Sequence, residues 1–140
     1  MTPKQLENLT KLAAYLDNVQ PEAFDMRRYH NGCRAPSRAS YSCGTVACAA
    51  GYGPAAGISP SPYSTWTNYI FYSFGIEGIS NAFSWVFSPY WGTYDNTPQG
   101  AAKRIRYFLE HGVPAMFTFD EFTFDEFSMA KYRAIFGEAA

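Results

Sequence analysis

The chain has 140 residues, and its 11 lysines and arginines nearly balance 12 acidic residues, for a net charge of −1. A chain of this length buries roughly two-thirds of its unfolded surface as one domain, so it needs neither disulfides nor metal to fold. Its N-terminus lacks the apolar stretch of a signal peptide, and its apolar runs are too short to span a membrane. It has 3 cysteines, an odd number, whereas a secreted disulfide framework normally has an even number. Secreted disulfide scaffolds and membrane spans are thereby excluded. We expect one cytoplasmic domain over residues 1–140.

The nearly neutral total hides an uneven distribution of charge along the chain. Residues 1–25 carry −2, residues 26–109 carry +5 and residues 110–140 carry −4. Of the 26 aromatic residues, 12 lie between positions 63 and 94, including all 3 tryptophans. Guanidinium groups bind phosphate oxygens bidentately and flat rings stack on bases, so a basic, aromatic-rich centre is typical of a nucleotide site. Rings also fill cores, and that alternative stays open for each of them.

The N-terminal segment predicts an amphipathic helix over residues 3–17. Thr2, Pro3 and Gln5 form a capping-box sequence, and leucines follow at helical spacing. Residues 21–24, which begin with a proline, predict one further turn after this helix ends.

The secondary-structure signals in the centre of the chain are weaker. Residues 27–42 contain four arginines and show no apolar periodicity, which indicates an irregular, functional loop. Residues 44–51 (GTVACAAG) are small enough for a short, tightly packed helix that ends at Gly51. The segments 65–74 and 78–87 suit either helix or strand by local propensity. We predict helices for both, because the elements on either side look helical.

The C-terminal part predicts two more helices. Thr97-Pro98 repeats the start signal of the first helix, and an apolar stripe continues to about residue 111, with Arg104 and Arg106 placed on the other faces. The tandem repeat TFDEF-TFDEF at 118–127 has the form of two capping boxes and predicts a last helix near 124–136.

These signals predict a mostly α fold, a small single-domain bundle of about five or six helices with an irregular arginine-rich loop. Within it, residues 116–140 are expected to form a C-terminal extension. The surplus of rings in so small a domain is consistent with a homo-oligomer, because exposed apolar patches tend to be covered by a partner.

Cysteines and histidines leave two further interpretations open. His30, Cys33, Cys43 and Cys48 offer four ligands of the kind zinc takes, but on a helix Cys43 and Cys48 lie about 500° apart, so we predict no metal. Cys43 stands just before a predicted helix, where amide dipoles favour the thiolate, and with His30 or His111 as base it would make a Cys43-dependent hydrolase or transferase. The sequence contains no dinucleotide-binding, P-loop or metalloprotease motif. We therefore predict no cofactor and no enzyme.

Two stretches carry a resemblance. Residues 24–26 (FDM) and 43–51 (CGTVACAAG) resemble the F-D-M and C-G-T-x-A-C-x-A-G motifs of a largely uncharacterised family of short bacteriophage and prophage proteins. The order continues with Gly75-Ile76, Val86-Phe87 and a T-P-x-x-A-A sequence at 97–102, so the resemblance covers roughly residues 5–113. It implies a mostly helical viral protein of the bacterial host cytoplasm. By analogy, small phage accessory proteins are often counter-defence factors that act on a host immune protein or sequester its nucleotide signal.

We therefore predict a phage counter-defence protein that binds and sequesters a small anionic ligand without catalysis, such as a cyclic nucleotide or an ADP-ribose derivative. Arginines would neutralise phosphates, rings would sandwich a base, and amides at the predicted helix start would hold one oxyanion. A protein–protein inhibitor of a host defence or metabolic protein is the alternative, while direct nucleic-acid binding is disfavoured because both ends of the chain are acidic. The predicted ligand-binding residues are Arg27, Arg28, Arg34, Arg38, Cys43, Gly44, Thr45, Trp66, Tyr69, Trp85, Trp91, Arg104 and Arg106.

Overall fold

The computed structural model of the chain describes residues 1–29, 36, 46–114 and 126–137, with the backbone alone at 126–128. The described part is mostly helical, which confirms the predicted fold class. Two 3₁₀ turns, Pro21–Ala23 and Ala50–Tyr52, accompany the α-helices. These helices are α1 (Pro3–Leu16), α2 (Trp66–Phe74), α3 (Asn81–Val86), α4 (Trp91–Tyr94), α5 (Pro98–His111) and α6 (Glu126–Phe136).

The two long helices α1 and α5 begin where their sequences predict. Thr2 Oγ1 accepts a hydrogen bond from the Gln5 amide at 3.1 Å, while Gln5 Oε1 accepts one from the Thr2 amide at 2.8 Å, which completes a capping box. Thr97 caps α5 by accepting from the Gly100 amide at 3.0 Å. The apolar stripes of the two helices pack against each other, and α1 also packs on α2.

Helices are also confirmed in the two ambiguous segments. Thr65 caps α2 by accepting from the Asn68 amide at 3.1 Å, and α2 ends at Gly75, whose φ of +72° suits a residue without a side chain. Ser80 caps α3 by accepting from the Phe83 amide at 3.0 Å, so this helix begins later than the predicted residue 78. Aromatic rings at helical spacing thus pack into the core despite their preference for strands.

The predicted helix over 44–51 is wrong in its described part. Ala47 forms a parallel bridge with Phe24: the Asp25 amide donates to the Ala47 carbonyl at 3.0 Å and the Ala47 amide donates to the Ala23 carbonyl at 3.3 Å. These long-range bonds use backbone groups that a local helix would need. A 3₁₀ turn then follows from Ala50, and residues 44 and 45 lie outside the described residues.

In the C-terminal part, the predicted last helix is confirmed and the predicted placement of one residue, Arg104, is wrong. The predicted last helix is confirmed as α6, while the residues of the TFDEF repeat before 126 lie outside the described part of the chain. The placement of Arg104 on a polar face of α5 is wrong, because its side chain is fully buried. Arg104 stands three residues after Ala101 and one before Ile105, both buried, so helical geometry turns it inward despite its charge.

Candidate functional site

The predicted site residues separate into three places. Arg27 and Arg28 lie beside a surface cavity, Trp85, Trp91 and Arg104 lie together in the core, and Arg106 lies in a surface ion pair. Trp66 is buried against the ring of Tyr29, which lines the cavity, and Tyr69 is buried against Trp66. Five predicted residues lie outside the described part of the chain and stay predictions: Arg34, Arg38, Cys43, Gly44 and Thr45.

The cavity has a volume of about 160 Å³. Two arginines, one tyrosine, one cysteine and three apolar residues form its wall, and we call it the arginine pocket. Sequence reasoning anticipated the arginines and missed the other five. The lining residues are Met26, Arg27, Arg28, Tyr29, Cys48, Phe87 and Pro89.

Pairing of two distant stretches builds the arginine pocket. The bridge between Phe24 and Ala47 lies directly before it, and the Cys48 amide donates to the Arg28 carbonyl, so residues 26–29 and 48 share one wall. A side chain at Gly51 would overlap the Tyr29 carbonyl oxygen, so this close approach requires glycine. The F-D-M stretch at 24–26 and the A-C-x-A-G stretch at 47–51 are therefore the two parts that pair here.

The two arginines of the pocket are partly engaged. Arg27 Nη2 donates to the Gly92 carbonyl at 2.6 Å, which directs the side chain along α4. A Cβ at position 92 would stand 2.8 Å from both Cγ and Nε of Arg27, so glycine permits this contact. Arg28 Nε lies 3.8 Å from Asp25 Oδ2, and its side chain is 57% exposed. So long and exposed an ion pair is weak, and the Arg28 guanidinium keeps most of its binding capacity.

An aromatic stack supports the pocket from behind. The rings of Tyr29 and Trp66 are nearly parallel, with centroids 5.0 Å apart, and Tyr69 meets Trp66 edge-on at 5.6 Å. Tyr69 is anchored by its hydroxyl, which donates to the Ile58 carbonyl at 2.7 Å. Tyr29 lines the cavity while Trp66 and Tyr69 are buried behind it, so the predicted rings position a ring that the sequence analysis missed.

Two groups in this wall titrate far from neutrality. Burial raises the pKa of the Cys48 thiol to about 12 and that of the Tyr29 phenol to about 12. Both are therefore neutral at physiological pH, and Cys48 is a poor nucleophile because the thiolate is the reactive form. The other three residues of the considered zinc site, His30, Cys33 and Cys43, lie outside the described residues. The described part of the chain contains no cluster of three metal-binding side chains.

A second arginine–aromatic group is closed to solvent, and we call it the buried arginine cluster. It consists of Arg104 with the rings of Trp85, Trp91, Tyr132 and Phe136. The Arg104 guanidinium lies over the Trp91 ring, 4.2 Å from its centroid, and Trp85 Nε1 donates to the Arg104 carbonyl at 2.9 Å. From α6, Tyr132 packs on Trp91 at 5.0 Å and Phe136 stacks on Trp85 at 5.9 Å.

Asp95 is the carboxylate of this cluster and it is heavily shared. Arg104 Nη1 lies 3.3 Å from Asp95 Oδ2, the oxygen that also accepts from the Tyr132 hydroxyl. Its other oxygen accepts from Thr97 Oγ1 at 2.7 Å. Burial raises the pKa of Tyr132 to about 12 and lowers the pKa of Arg104.

Arg106 makes a different kind of contact. Its guanidinium binds the Asp17 carboxylate with two parallel hydrogen bonds, one of them 2.9 Å from Nη1 to Oδ1, and so ties α5 to the end of α1. These hydrogen bonds lower the pKa of Asp17. The two side chains are 49% and 43% exposed, so the pair lies in solvent and away from the pocket wall.

Comparisons with protein-family models, curated proteins and solved structures find no match for this chain. None of the helices in the described ranges is long and apolar enough to cross a membrane.

Proposed function

We propose that the protein binds and sequesters a small anionic ligand derived from a nucleotide, without chemical turnover. The observation that carries this proposal is the arginine pocket, a concave site of about 160 Å³ with Arg27 and Arg28 in its wall. Guanidinium groups at a cavity suit phosphate, because their donors match its oxygens in pairs.

The remaining wall fits the organic part of such a ligand. Met26, Phe87 and Pro89 offer apolar surface, and Tyr29 offers a neutral ring backed by Trp66. Pockets for whole drug-sized ligands usually measure roughly 300–1,000 Å³. A cavity of about 160 Å³ is smaller, so it takes one phosphate and its sugar or base, while the rest of a larger ligand lies over the exposed Arg28.

Two observations favour binding without turnover. The thiol of Cys48, the nucleophilic side chain in the pocket wall, has a pKa of about 12. The nearest charged partner of the arginines, Asp25, is occupied by the Arg27 amide at 3.0 Å and by Asn96 Nδ2 at 3.3 Å. A sequestering protein needs neither a general base nor a nucleophile, whereas a cysteine-dependent hydrolase needs both in place.

The biological setting follows from the resemblance to phage and prophage proteins. Bacterial immune systems use nucleotide signals, and a small phage protein that holds such a signal acts as a counter-defence factor in the host cytoplasm. Cyclic nucleotides and ADP-ribose derivatives are accordingly the first ligands to test. Sequestration requires tight binding and stoichiometric protein, which sets the expected affinity at micromolar or tighter.

Calorimetric titration with cyclic nucleotides and ADP-ribose derivatives tests this proposal. We expect heat of binding for at least one ligand, and chromatography should recover that ligand unchanged after release. Heat for none of them at micromolar protein contradicts the small-ligand function, and recovery of a cleaved ligand contradicts the absence of turnover. A Cys43→Ala variant that removes such cleavage would then assign it to the hydrolase alternative.

Two exposed apolar side chains, one on α2 and one in the segment after it, support a second candidate, a protein–protein inhibitor. Tyr72 is 56% exposed and stacks on Tyr63 at 5.5 Å, and Ile79 is 99% exposed. Apolar side chains so exposed are typical of protein contacts when they lie together. A stoichiometric complex with a host protein that Tyr72→Ser and Ile79→Ser abolish, and Arg28→Gln leaves intact, would favour this function.

A further inference from the structure

Arg104 carries an unused hydrogen-bonding edge. Its side chain is fully buried, and among the described residues neither Nε nor Nη2 has a hydrogen-bond partner. These two nitrogens form the side of the guanidinium whose parallel N–H groups match two oxygens of one anion. Buried polar groups are nearly always paired in native proteins, so a whole unpaired edge calls for an acceptor that the described side chains do not supply.

The charge of Arg104 is also incompletely balanced. Among the described residues, its carboxylate partner is Asp95, and the contact from Nη1 is long at 3.3 Å. Asp95 divides its negative charge between Arg104, the Tyr132 hydroxyl and Thr97 Oγ1. The lowered pKa of Arg104, caused first by burial, agrees with a cation that lacks full compensation.

Trp91 and the other rings explain part of this arrangement but not the edge. The guanidinium lies over the face of Trp91, 4.2 Å from the ring centroid, and the ring attracts the cation there. That contact leaves the N–H groups of Nε and Nη2 without an acceptor among the described residues. A water molecule bridges such groups without adding charge, whereas an oxyanion satisfies both hydrogen bonds and the cation.

We propose that the Nε/Nη2 edge of Arg104 is a binding site for a small oxyanion, a phosphate or a carboxylate, enclosed by the buried arginine cluster. This site is separate from the arginine pocket and does not depend on the function proposed for it. Tyr132 and Phe136 of α6 cover the cluster, so an anion gains access when these two side chains move.

The site is tested on the intact protein labelled with ¹⁵N-arginine, by following the Nε–H signals during titration. The Arg104 signal is assigned through its proximity to the Trp91 ring, which needs no variant. The titrants are inorganic phosphate and acetate, each matched in ionic strength by chloride. We expect a saturable downfield shift of the Arg104 Nε–H signal and a matching shift of the Trp91 indole signal. The Nε–H signal of Arg106, whose Nη groups are held by Asp17, is the internal reference.

Each outcome of the titration either supports or overturns the proposed Arg104 site. Saturation with phosphate supports a phosphate site, saturation with acetate supports a carboxylate site, and no shift with either overturns the proposal in favour of a bound water. Arg104→Lys keeps the charge and loses the bidentate edge, so it should weaken binding at least roughly tenfold. If Arg104→Lys does not fold, the wild-type titration alone still decides. An Arg27→Gln/Arg28→Gln protein should keep the Arg104 shift, which distinguishes failure here from failure of the arginine pocket.

Discussion

The arginine pocket and the buried arginine cluster use the same residue types in opposite ways. In the pocket, Arg28 is 57% exposed, its carboxylate partner lies 3.8 Å away, and an aromatic stack supports the wall from behind. In the cluster, Arg104 is fully buried and lies flat on Trp91 beneath the rings of α6. Arginine and aromatic residues that are close in sequence therefore do not indicate by themselves whether solvent or a ligand reaches the arginine.

The difference also separates binding from stability. The cluster joins α3, α4, α5 and α6 through ring contacts and the Trp85 hydrogen bond, so changes there should first affect folding. The pocket joins two stretches that are distant in sequence by backbone bonds, and its arginine side chains are exposed and add little to the core. Changes to those side chains should first affect ligand binding.

The largest expected effect is the loss of Trp85. Trp85→Ala removes a fully buried indole that contacts Trp91, Tyr107, Tyr132 and Phe136. We expect the free energy of unfolding to fall by about 3–5 kcal/mol, as measured by urea denaturation. Tyr72→Ala, at a ring that is 56% exposed, is the control and should cost about 0.5 kcal/mol. Equal losses in the two variants would contradict the assignment of the cluster to the core.

Arg104 comes next and has a matched control on the same helix. Arg104→Gln removes a buried cation, while Asp95 keeps its contacts with Tyr132 and Thr97. We expect a loss of about 3 kcal/mol in unfolding free energy. Arg106→Gln breaks an ion pair whose side chains are about half exposed, and should cost about 0.5 kcal/mol. A larger loss for Arg106→Gln than for Arg104→Gln would reverse the account of the two arginines.

The tyrosines predict sensitivity to high pH. Tyr132 in the cluster and Tyr29 in the pocket have folded pKa values of about 12, above the ordinary 10.0. A raised folded pKa gives stability that is fully present below pH 10 and is lost as the pH rises towards the folded value. Urea denaturation across this range should therefore show a falling free energy of unfolding. Tyr132→Phe and Tyr29→Phe should each reduce the slope, and unchanged slopes in both would contradict the burial of these phenols.

A substitution at Gly92 is expected to change ligand affinity more than stability. Gly92→Ala places a Cβ 2.8 Å from Cγ and Nε of Arg27, so the arginine must leave the Gly92 carbonyl. We expect ligand affinity in calorimetry to fall several-fold, with unfolding free energy changed by about 1 kcal/mol or less. Gly78→Ala, whose Cβ would meet only a Thr67 methyl at 3.2 Å, is the control. Unchanged affinity in Gly92→Ala would mean that the position of Arg27 does not matter for binding.

Local sequence signals predicted the helices that carry their own start signals. A threonine cap followed by proline begins both α1 and α5. In α1, both hydrogen bonds of the Thr2–Gln5 capping box are present, as the sequence predicts. Residues 46–51 were not predictable in this way, because their conformation depends on pairing with residues 23–28, about twenty positions away. Small residues allow a helix there without requiring one.

Of the residues that line the arginine pocket, only the two arginines were predicted from the sequence. Arg27 and Arg28 followed from the local excess of arginine, but Tyr29, Phe87 and Pro89 reach the pocket through the fold. Arg104 was predicted to lie on a face of α5 other than the apolar stripe, although its spacing from Ala101 and Ile105 marks the buried face. Periodicity was the better guide at this position.

A paired calorimetric titration tests the central claim most directly. One ligand that binds the wild-type protein is titrated into the Arg27→Gln/Arg28→Gln variant and into the Arg106→Gln variant. Both proteins should remain folded, because the three arginines are exposed. We predict that binding is lost in the double variant and retained in Arg106→Gln. Retained affinity in the double variant, or equal loss in both, would contradict the arginine pocket as the ligand site.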